Sequence, residues 1–260
     1  MIDLVKSNLS LLDINACGEN LFLNSERVLR IAPMLCRGCE DYHIRAVLHR
    51  TARFQKGINV DRPQIVSALK PLLQERSGRI VKLLIAGAAD TGILSTCAHA
   101  AAAIGGDVIE NIHFTVADRC ETPLALCAAY AQEYNLKLRT QVLDFLRDDL
   151  VGEFDIAVLH SVLRFLAPSA QRLLLIKLKR RMKPGGSILI SHKFIDSCYH
   201  GDENIKRGVA DDTVLEHIDQ GRIRTAKSIA EIEALLLRSR DDRDIRLGEL
   251  RSEEELRSII

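Results

Sequence analysis

Charge of one sign is what this 260-residue sequence most plainly lacks: 36 Lys and Arg against 35 Asp and Glu leave a formal net charge of +1. A protein that lives on nucleic acid or on anionic lipid usually carries a basic field. The balance therefore points away from nucleic acid and membrane partners and toward a small neutral or zwitterionic substrate. Long apolar runs are missing too, since no stretch reaches the roughly 18 to 20 residues needed to span a bilayer. The start MIDLVKSNLSLLDINACGEN shows no basic segment leading into such a run, so the cytoplasm is the expected compartment. No internal repeat or low-complexity tract interrupts the chain. The seven cysteines, at 17, 36, 39, 97, 120, 127 and 198, are odd in number and scattered. In a chain large enough to fold without staples they are expected to be reduced thiols, mostly small core fillers. Cys36-Arg37-Gly38-Cys39 has the spacing of half a zinc site or of a redox pair. No second pair, and no His pair at ligand spacing, completes it.

What is present is an apolar fraction of 47% beside 27% charged residues, enough to bury one full core with an appended segment. From Val81 to His192 short β-rich runs alternate with helical stretches, the pattern of a parallel sheet covered on both faces. Five strands are expected at Val81 to Ala86, Ile112 to Ala117, Leu138 to Leu143, Asp155 to His160 and Ser187 to His192. The alanine-rich helix Ile93 to Ile104 is expected to stop at Gly105-Gly106. A second helix, Gln171 to Met182, is expected to be stopped by Pro184, with Gly185 and Gly186 turning the chain into the fifth strand.

The expected organisation is a helical N-terminal cap over residues 1–78, a doubly wound, Rossmann-like core over 79–194, and a helical, charged segment over 195–260. In the cap Ser25 to Met34, Asp41 to Phe54 and Arg62 to Glu75 read as helices. After His192 the pattern loosens through Tyr199-His200-Gly201-Asp202-Glu203-Asn204, then Thr225 to Arg238 reads as a helix. The charged stretch Arg238 to Glu255 reads as a solvated face or loop. Ser252 and Glu255 form a capping box, in which hydroxyl and carboxylate satisfy each other's backbone amides at a helix start.

Polar groups recur where strands end. The first strand runs into Ile85-Ala86-Gly87-Ala88-Ala89-Asp90-Thr91-Gly92. Small residues there let a ligand approach the backbone, and the free amides of a helix start favour a negative group. A glycine at such a turn also serves α/β proteins that bind nothing there. The second strand ends in Asp118-Arg119, 26 residues beyond Gly92, where a carboxylate can accept from the two hydroxyls of a ribose or cap the helix that follows. The third ends in Asp144-Phe145, a carboxylate and a ring suited to an adenine. The fourth, Phe154 to Leu159, runs into His160-Ser161-Val162-Leu163-Arg164. In an open parallel sheet these ends border the ligand crevice.

The order Gly87 loop, Val116-Ala117-Asp118, Asp144-Phe145, Phe154-Asp155-Ile156-Ala157-Val158 and Leu178 to Gly186 resembles the class I S-adenosylmethionine-dependent methyltransferase family, over roughly Val81 to His192. The late Lys183-Pro184-Gly185-Gly186 turn is its most specific part. The resemblance implies S-adenosyl-L-methionine as cofactor. Ala86, Gly87 and Ala88 would pass its methionine part, Asp118 and Arg119 would hold the ribose, Asp144 and Phe145 would face adenine, and His160 and Ser161 would lie near the sulfonium. Tyr42 or His43, in a cap like that of small-molecule members, would close over the acceptor. Two departures stand out. Ile85 occupies the position where the family carries an acidic residue, and Ala89 replaces a common second glycine, which leaves either Asp90 for the methionine amine or a weakly held cofactor. The two C-terminal strands that complete the usual seven have no counterpart, so five strands are expected, with exposed edges that invite a homodimer.

Methyl transfer from a sulfonium is an in-line displacement on an activated carbon, so alignment and desolvation supply much of the rate. A hydroxyl or ammonium acceptor needs a base, for which His160 is the candidate; a strand-end histidine satisfied by the backbone is the alternative. Arg164, four residues on, could lie one helical turn from His160 and pair with a substrate carboxylate, or form a surface ion pair. The cluster Lys177, Lys179, Arg180, Arg181 and Lys183 reads as the solvated face of an amphipathic helix. Besides an active small-molecule methyltransferase acting on O, N or S, two readings stay open: a catalytically degenerate, cofactor-binding or regulatory relative, and a nicotinamide-dependent oxidoreductase.

Overall fold

The computed structural model describes residues 19–55, 62–192, 200–238, 250 and 252–259. Cys17, Cys198, Tyr199 and most of the charged stretch after Arg238 lie outside the described residues. Elements follow in the order α1 (Leu21–Leu35), α2 (Glu40–Gln55), α3 (Arg62–Gln74), β1 (Val81–Ala86), α4 (Gly92–Ala102), α5 (Gly106–Glu110), β2 (Ile112–Asp118), α6 (Glu121–Glu133), β3 (Lys137–Val142), β4 (Phe154–His160), a 3-10 turn (Leu163–Phe165), α7 (Pro168–Lys179), β5 (Met182–Ser191), α8 (His200–Asp219), α9 (Ile229–Arg238) and α10 (Glu253–Ile259). The chain divides into two units: one holds α3 through β5 with α10, the other α1, α2, α8 and α9. No helix of the described residues is long and apolar enough to cross a membrane.

The first unit is the α/β, doubly wound, Rossmann-like sheet. Its five strands are all parallel, in the order β3-β2-β1-β4-β5. Period-two alternation divides β1 between the two faces. Leu83 and Ile85 join Phe114, Val116, Ile156 and Val158 under α3, α4 and α6. Leu84 and Ala86 join Ala117, Ala157 and Leu159 under α7, with Leu256 and Ile259 of α10 packed against them. Strand order reverses between β1 and β4, and in open parallel sheets that switch point is where ligands bind, at the carboxyl ends.

β1 coincides with its expected bounds, whereas β5 begins five residues earlier than expected. α7 ends at Lys179 instead of running on to Met182, and Met182 already pairs with Phe154. The register then jumps from Phe154↔Met182 to Ile156↔Ser187, so Lys183-Pro184-Gly185-Gly186 form a bulge inside the strand. β5 is an edge strand, which tolerates a proline that cannot donate. Gly185 has φ +74, and a Cβ on Gly186 would lie 2.9 Å from the Lys183 carbonyl and 3.2 Å from that of Phe154. Both glycines are therefore required by the backbone path.

α3, expected in the N-terminal cap, groups with the sheet unit and buries Ile65, Leu69 and Leu73 in its core. One half of the capping box at α10 is formed by the Glu255 amide donating to Ser252 Oγ at 3.1 Å. In the second unit Asn20 caps α1 by accepting from the Leu23 amide. Ser25 Oγ and Thr51 Oγ1 lie 2.9 Å apart between α1 and α2, and Arg50 reaches the buried Glu19 through two guanidinium bonds. His49 Nε2 meets Asp211 Oδ1 at 2.5 Å, joining α2 to α8. Burial holds the His49 pKa below its ordinary value despite Asp211, which opposes the shift.

Candidate active site

Parallel register brings the ends of β1, β2 and β4 to one edge. Gly87 has φ +82, and a Cβ there would sit 2.6 Å from Val162 Cγ2. Its amide donates to the Ala117 carbonyl at 2.8 Å. The loop after β1 is thus pressed against the residues that follow β4, and only glycine fits the contact. Ile85 is fully buried between the strands, so this loop-entry position is a core position here.

Asp118 ties β2 to the same loop. Its Oδ2 accepts from the Ala88 amide at 2.9 Å and its Oδ1 from the Cys120 amide at 2.8 Å. The helix after it carries no side-chain cap on its own N-cap residue, Cys120, so Asp118 rigidifies the loop rather than capping α6 in the ordinary way. Asp90, buried, accepts from the Gly92 amide at 2.6 Å and opens α4. Arg119 is exposed. At the end of β3 the Leu143 amide donates to the Asp118 carbonyl at 2.9 Å. Asp144 Oδ1 then accepts from the Leu146 amide at 2.9 Å, and the Phe145 ring packs on the apolar cluster that holds Ala86 and Ala117.

His160 ends β4 opposite Ser191 of β5, and its Nδ1 lies 3.2 Å from Ser191 Oγ. Ser161 follows with φ +57, a left-handed conformation that a non-glycine residue adopts at a cost of about 1 to 3 kcal/mol. The Ser161 amide donates to the Ser191 carbonyl at 2.8 Å. This sharp turn corrects the expected helical spacing: Arg164 sits on the 3-10 turn, not one α-helical turn from His160. Buried Gln171 of α7 holds that turn, its Nε2 donating to the Leu163 and Leu166 carbonyls at 2.9 and 3.1 Å. Sequence reasoning overlooked Ser191 and His192 at the end of β5. Burial and the positive charge of Arg164 keep the His192 imidazole below its ordinary pKa. Their signal was available, since they end a strand at the edge where the other polar groups gather.

Tyr42 and His43 belong to α2 of the second unit. Their rings meet edge-on with centroids 5.0 Å apart, and His43 is buried.

No family model matches the chain, and no curated protein matches it. Among solved structures it is similar to a provisionally assigned O-methyltransferase of Nostoc punctiforme, at 13% identity and TM-score 0.47 over 93% of this chain and 61% of that one. It is also similar to mitomycin 7-O-methyltransferase, at 14% identity and TM-score 0.46 over 89% and 52%. Magnesium protoporphyrin IX methyltransferase of Synechocystis gives 16% identity and TM-score 0.47 over 82% and 80%. The chain spans less than two thirds of the length of the first two.

Proposed function

We propose that the chain is an S-adenosyl-L-methionine-dependent methyltransferase acting on a small molecule, with a carboxylate-bearing acceptor preferred. The observation that carries this reading is the junction at the switch point, where the loop after β1 bonds to Asp118 of β2 and lies against Val162 beyond β4. The donor set suits the cofactor. Asp118 ends β2 at the carboxyl edge of the sheet, where a carboxylate can accept from a ribose diol. Ala86, Gly87 and Ala88 offer a side-chain-poor surface to the methionine part, and Asp90 a carboxylate for its amine. Asp144 and Phe145 are assigned to adenine, and Arg119 to the rim of the ribose site.

When bound, the cofactor supplies a methyl carbon activated on a sulfonium. The protein's task is then to align an acceptor and exclude water. His160, whose Nδ1 lies 3.2 Å from Ser191 Oγ, is assigned as the base that takes the acceptor's proton. Ser161 shapes the turn beside it, and Arg164 pairs with the acceptor carboxylate. Asp118→Ala should weaken S-adenosylhomocysteine binding at least tenfold by isothermal titration; unchanged affinity would remove Asp118 from the site.

A second reading, a cofactor-binding protein without transferase activity, is favoured by the fully buried Ile85 in place of an acidic residue. A screen of acids, amines and thioethers for released S-adenosylhomocysteine separates the two: turnover with any acceptor supports the first, and binding without turnover the second.

A further inference from the structure

The turn between α1 and α2 gathers metal-ligating side chains from a single short stretch. Cys36 closes α1, its amide donating to the Ala32 carbonyl at 2.9 Å. Gly38 follows at φ +91 with open space around it, and Cys39 immediately precedes α2 at Glu40. One turn into that helix, the His43 amide donates to the Cys39 carbonyl at 3.3 Å. Both cysteines are thiols outside any disulfide and half-buried, and His43 is 3% exposed. The Cys36 and Cys39 sulfurs and a ring nitrogen of His43 all lie within 4.8 Å of one another.

We propose that Cys36, Cys39 and His43 bind one zinc ion that fixes the α1–α2 turn. Zinc takes thiolate sulfur at about 2.3 Å and imidazole nitrogen at about 2.0 Å in a tetrahedron, which sets ligand separations of roughly 3.5 to 3.8 Å. The observed limit of 4.8 Å exceeds those separations by only about 1 Å. The backbone is already shaped for it. A two-residue spacer with its second residue in the left-handed region curls the chain so that two sulfurs face one point, and the three-residue spacer before His43 brings the imidazole round on the first turn of α2. The helix start behind Cys39 adds a partial positive charge that favours an anionic sulfur ligand. A CxxC pair alone is equally compatible with dithiol–disulfide chemistry; a buried imidazole beside both sulfurs is what a metal requires and a disulfide does not. Because thiolates and neutral imidazole are the ligating forms, binding releases protons and weakens as pH falls. His43, expected at the acceptor, is thereby reassigned to the metal.

The full chain, purified under reducing conditions and loaded with zinc, tests this by elemental analysis and X-ray absorption. One zinc per chain is expected, with at least two sulfur scatterers and one imidazole. Cys36→Ser, Cys39→Ser and His43→Ala should each lose stoichiometric zinc, while His43→Cys, which keeps a ligand in place, should retain it. Cobalt replacement in the wild type should give thiolate-to-cobalt charge-transfer bands that vanish in Cys39→Ser. Circular dichroism on the same samples identifies a variant that fails to fold, and the wild-type absorption spectrum decides the matter without any variant. Absence of stoichiometric zinc in the reduced wild type, or zinc bound through oxygen and nitrogen alone, would overturn the proposal.

Discussion

The two ends of the parallel sheet solve the burial of polar groups in opposite ways. At the amino edge charges are paired with charges. Asp155, nearly inaccessible at the start of β4, accepts from Lys183 Nζ at 2.7 Å and from the Lys82 amide at 2.8 Å, with Arg79 at 3.7 Å. Burial alone would raise the Asp155 pKa. The Lys183 bond, the Lys82 amide and the charges of Lys183 and Arg79 outweigh it and hold the carboxyl below its ordinary value. Arg76, buried at the end of α3, donates to the Gly185 carbonyl at 2.8 Å and to Ser187 Oγ at 3.2 Å. At the carboxyl edge the carboxylates of Asp90, Asp118 and Asp144 accept chiefly from backbone amides, with Arg147 3.7 Å from Asp144, and the turn after β4 carries strain at Ser161. One edge neutralises its charges and closes the sheet. The other orders its carboxylates on the backbone of the loops that follow the strands, as the proposed cofactor site requires.

Substitutions at the two edges should therefore separate stability from binding. The largest loss is expected from Gly87→Ala, which combines a positive φ with a clash on Val162 and should cost about 2 to 4 kcal/mol in urea unfolding. Pairing it with Val162→Ala should recover part of that loss, and no recovery would mean that the contact is not the cause. Asp155→Asn removes the ion pairs of the amino edge and should cost about 1 to 3 kcal/mol while leaving S-adenosylhomocysteine affinity unchanged. The pH dependence has a definite sign. A carboxyl whose folded pKa is depressed stabilises above its unfolded value, near 3.8. That contribution disappears as pH falls through the folded value, so the acid limb of the wild-type stability curve should be steeper than that of Asp155→Asn. Gln171→Leu should cost about 1 to 2 kcal/mol by releasing the Leu163 and Leu166 carbonyls, and should lower activity further by loosening Arg164. The smallest change in stability is expected for Arg164→Lys, within about 0.5 kcal/mol, with its effect confined to KM for a carboxylate acceptor.

The carboxyl edge was more legible in the sequence than the amino edge, and the reasons are physical. Strand ends announce themselves by a switch from apolar runs to Gly, Asp or His, and all five strands lie near their expected places. β5 was misjudged at its start because Pro184-Gly185-Gly186 reads as a turn; an edge strand can carry that turn as a bulge. α8 escaped notice because Gly201 and the polar residues around it hide a 20-residue helix in which no clear apolar stripe stands out. α5 was hidden because Gly105-Gly106 read as the stop of α4; α4 ends at Ala102, and Gly105 is the N-cap of α5. The position of Arg164 depended on the left-handed Ser161, a conformation that composition does not announce for serine. The His43 contact with Cys36 and Cys39 needed α2 to begin at Glu40, a boundary one residue ahead of the sequence estimate.

The central claim is that the carboxyl edge binds the cofactor and the amino edge does not. It is tested most directly by titrating S-adenosylhomocysteine into the isotope-labelled chain and following backbone amide resonances. Saturable shifts at Ala88, Cys120, Leu146 and Ser161, with Lys82, Gly185 and Ser187 unmoved, are the predicted result. An unchanged spectrum at millimolar ligand, or shifts confined to the amino edge, would contradict it.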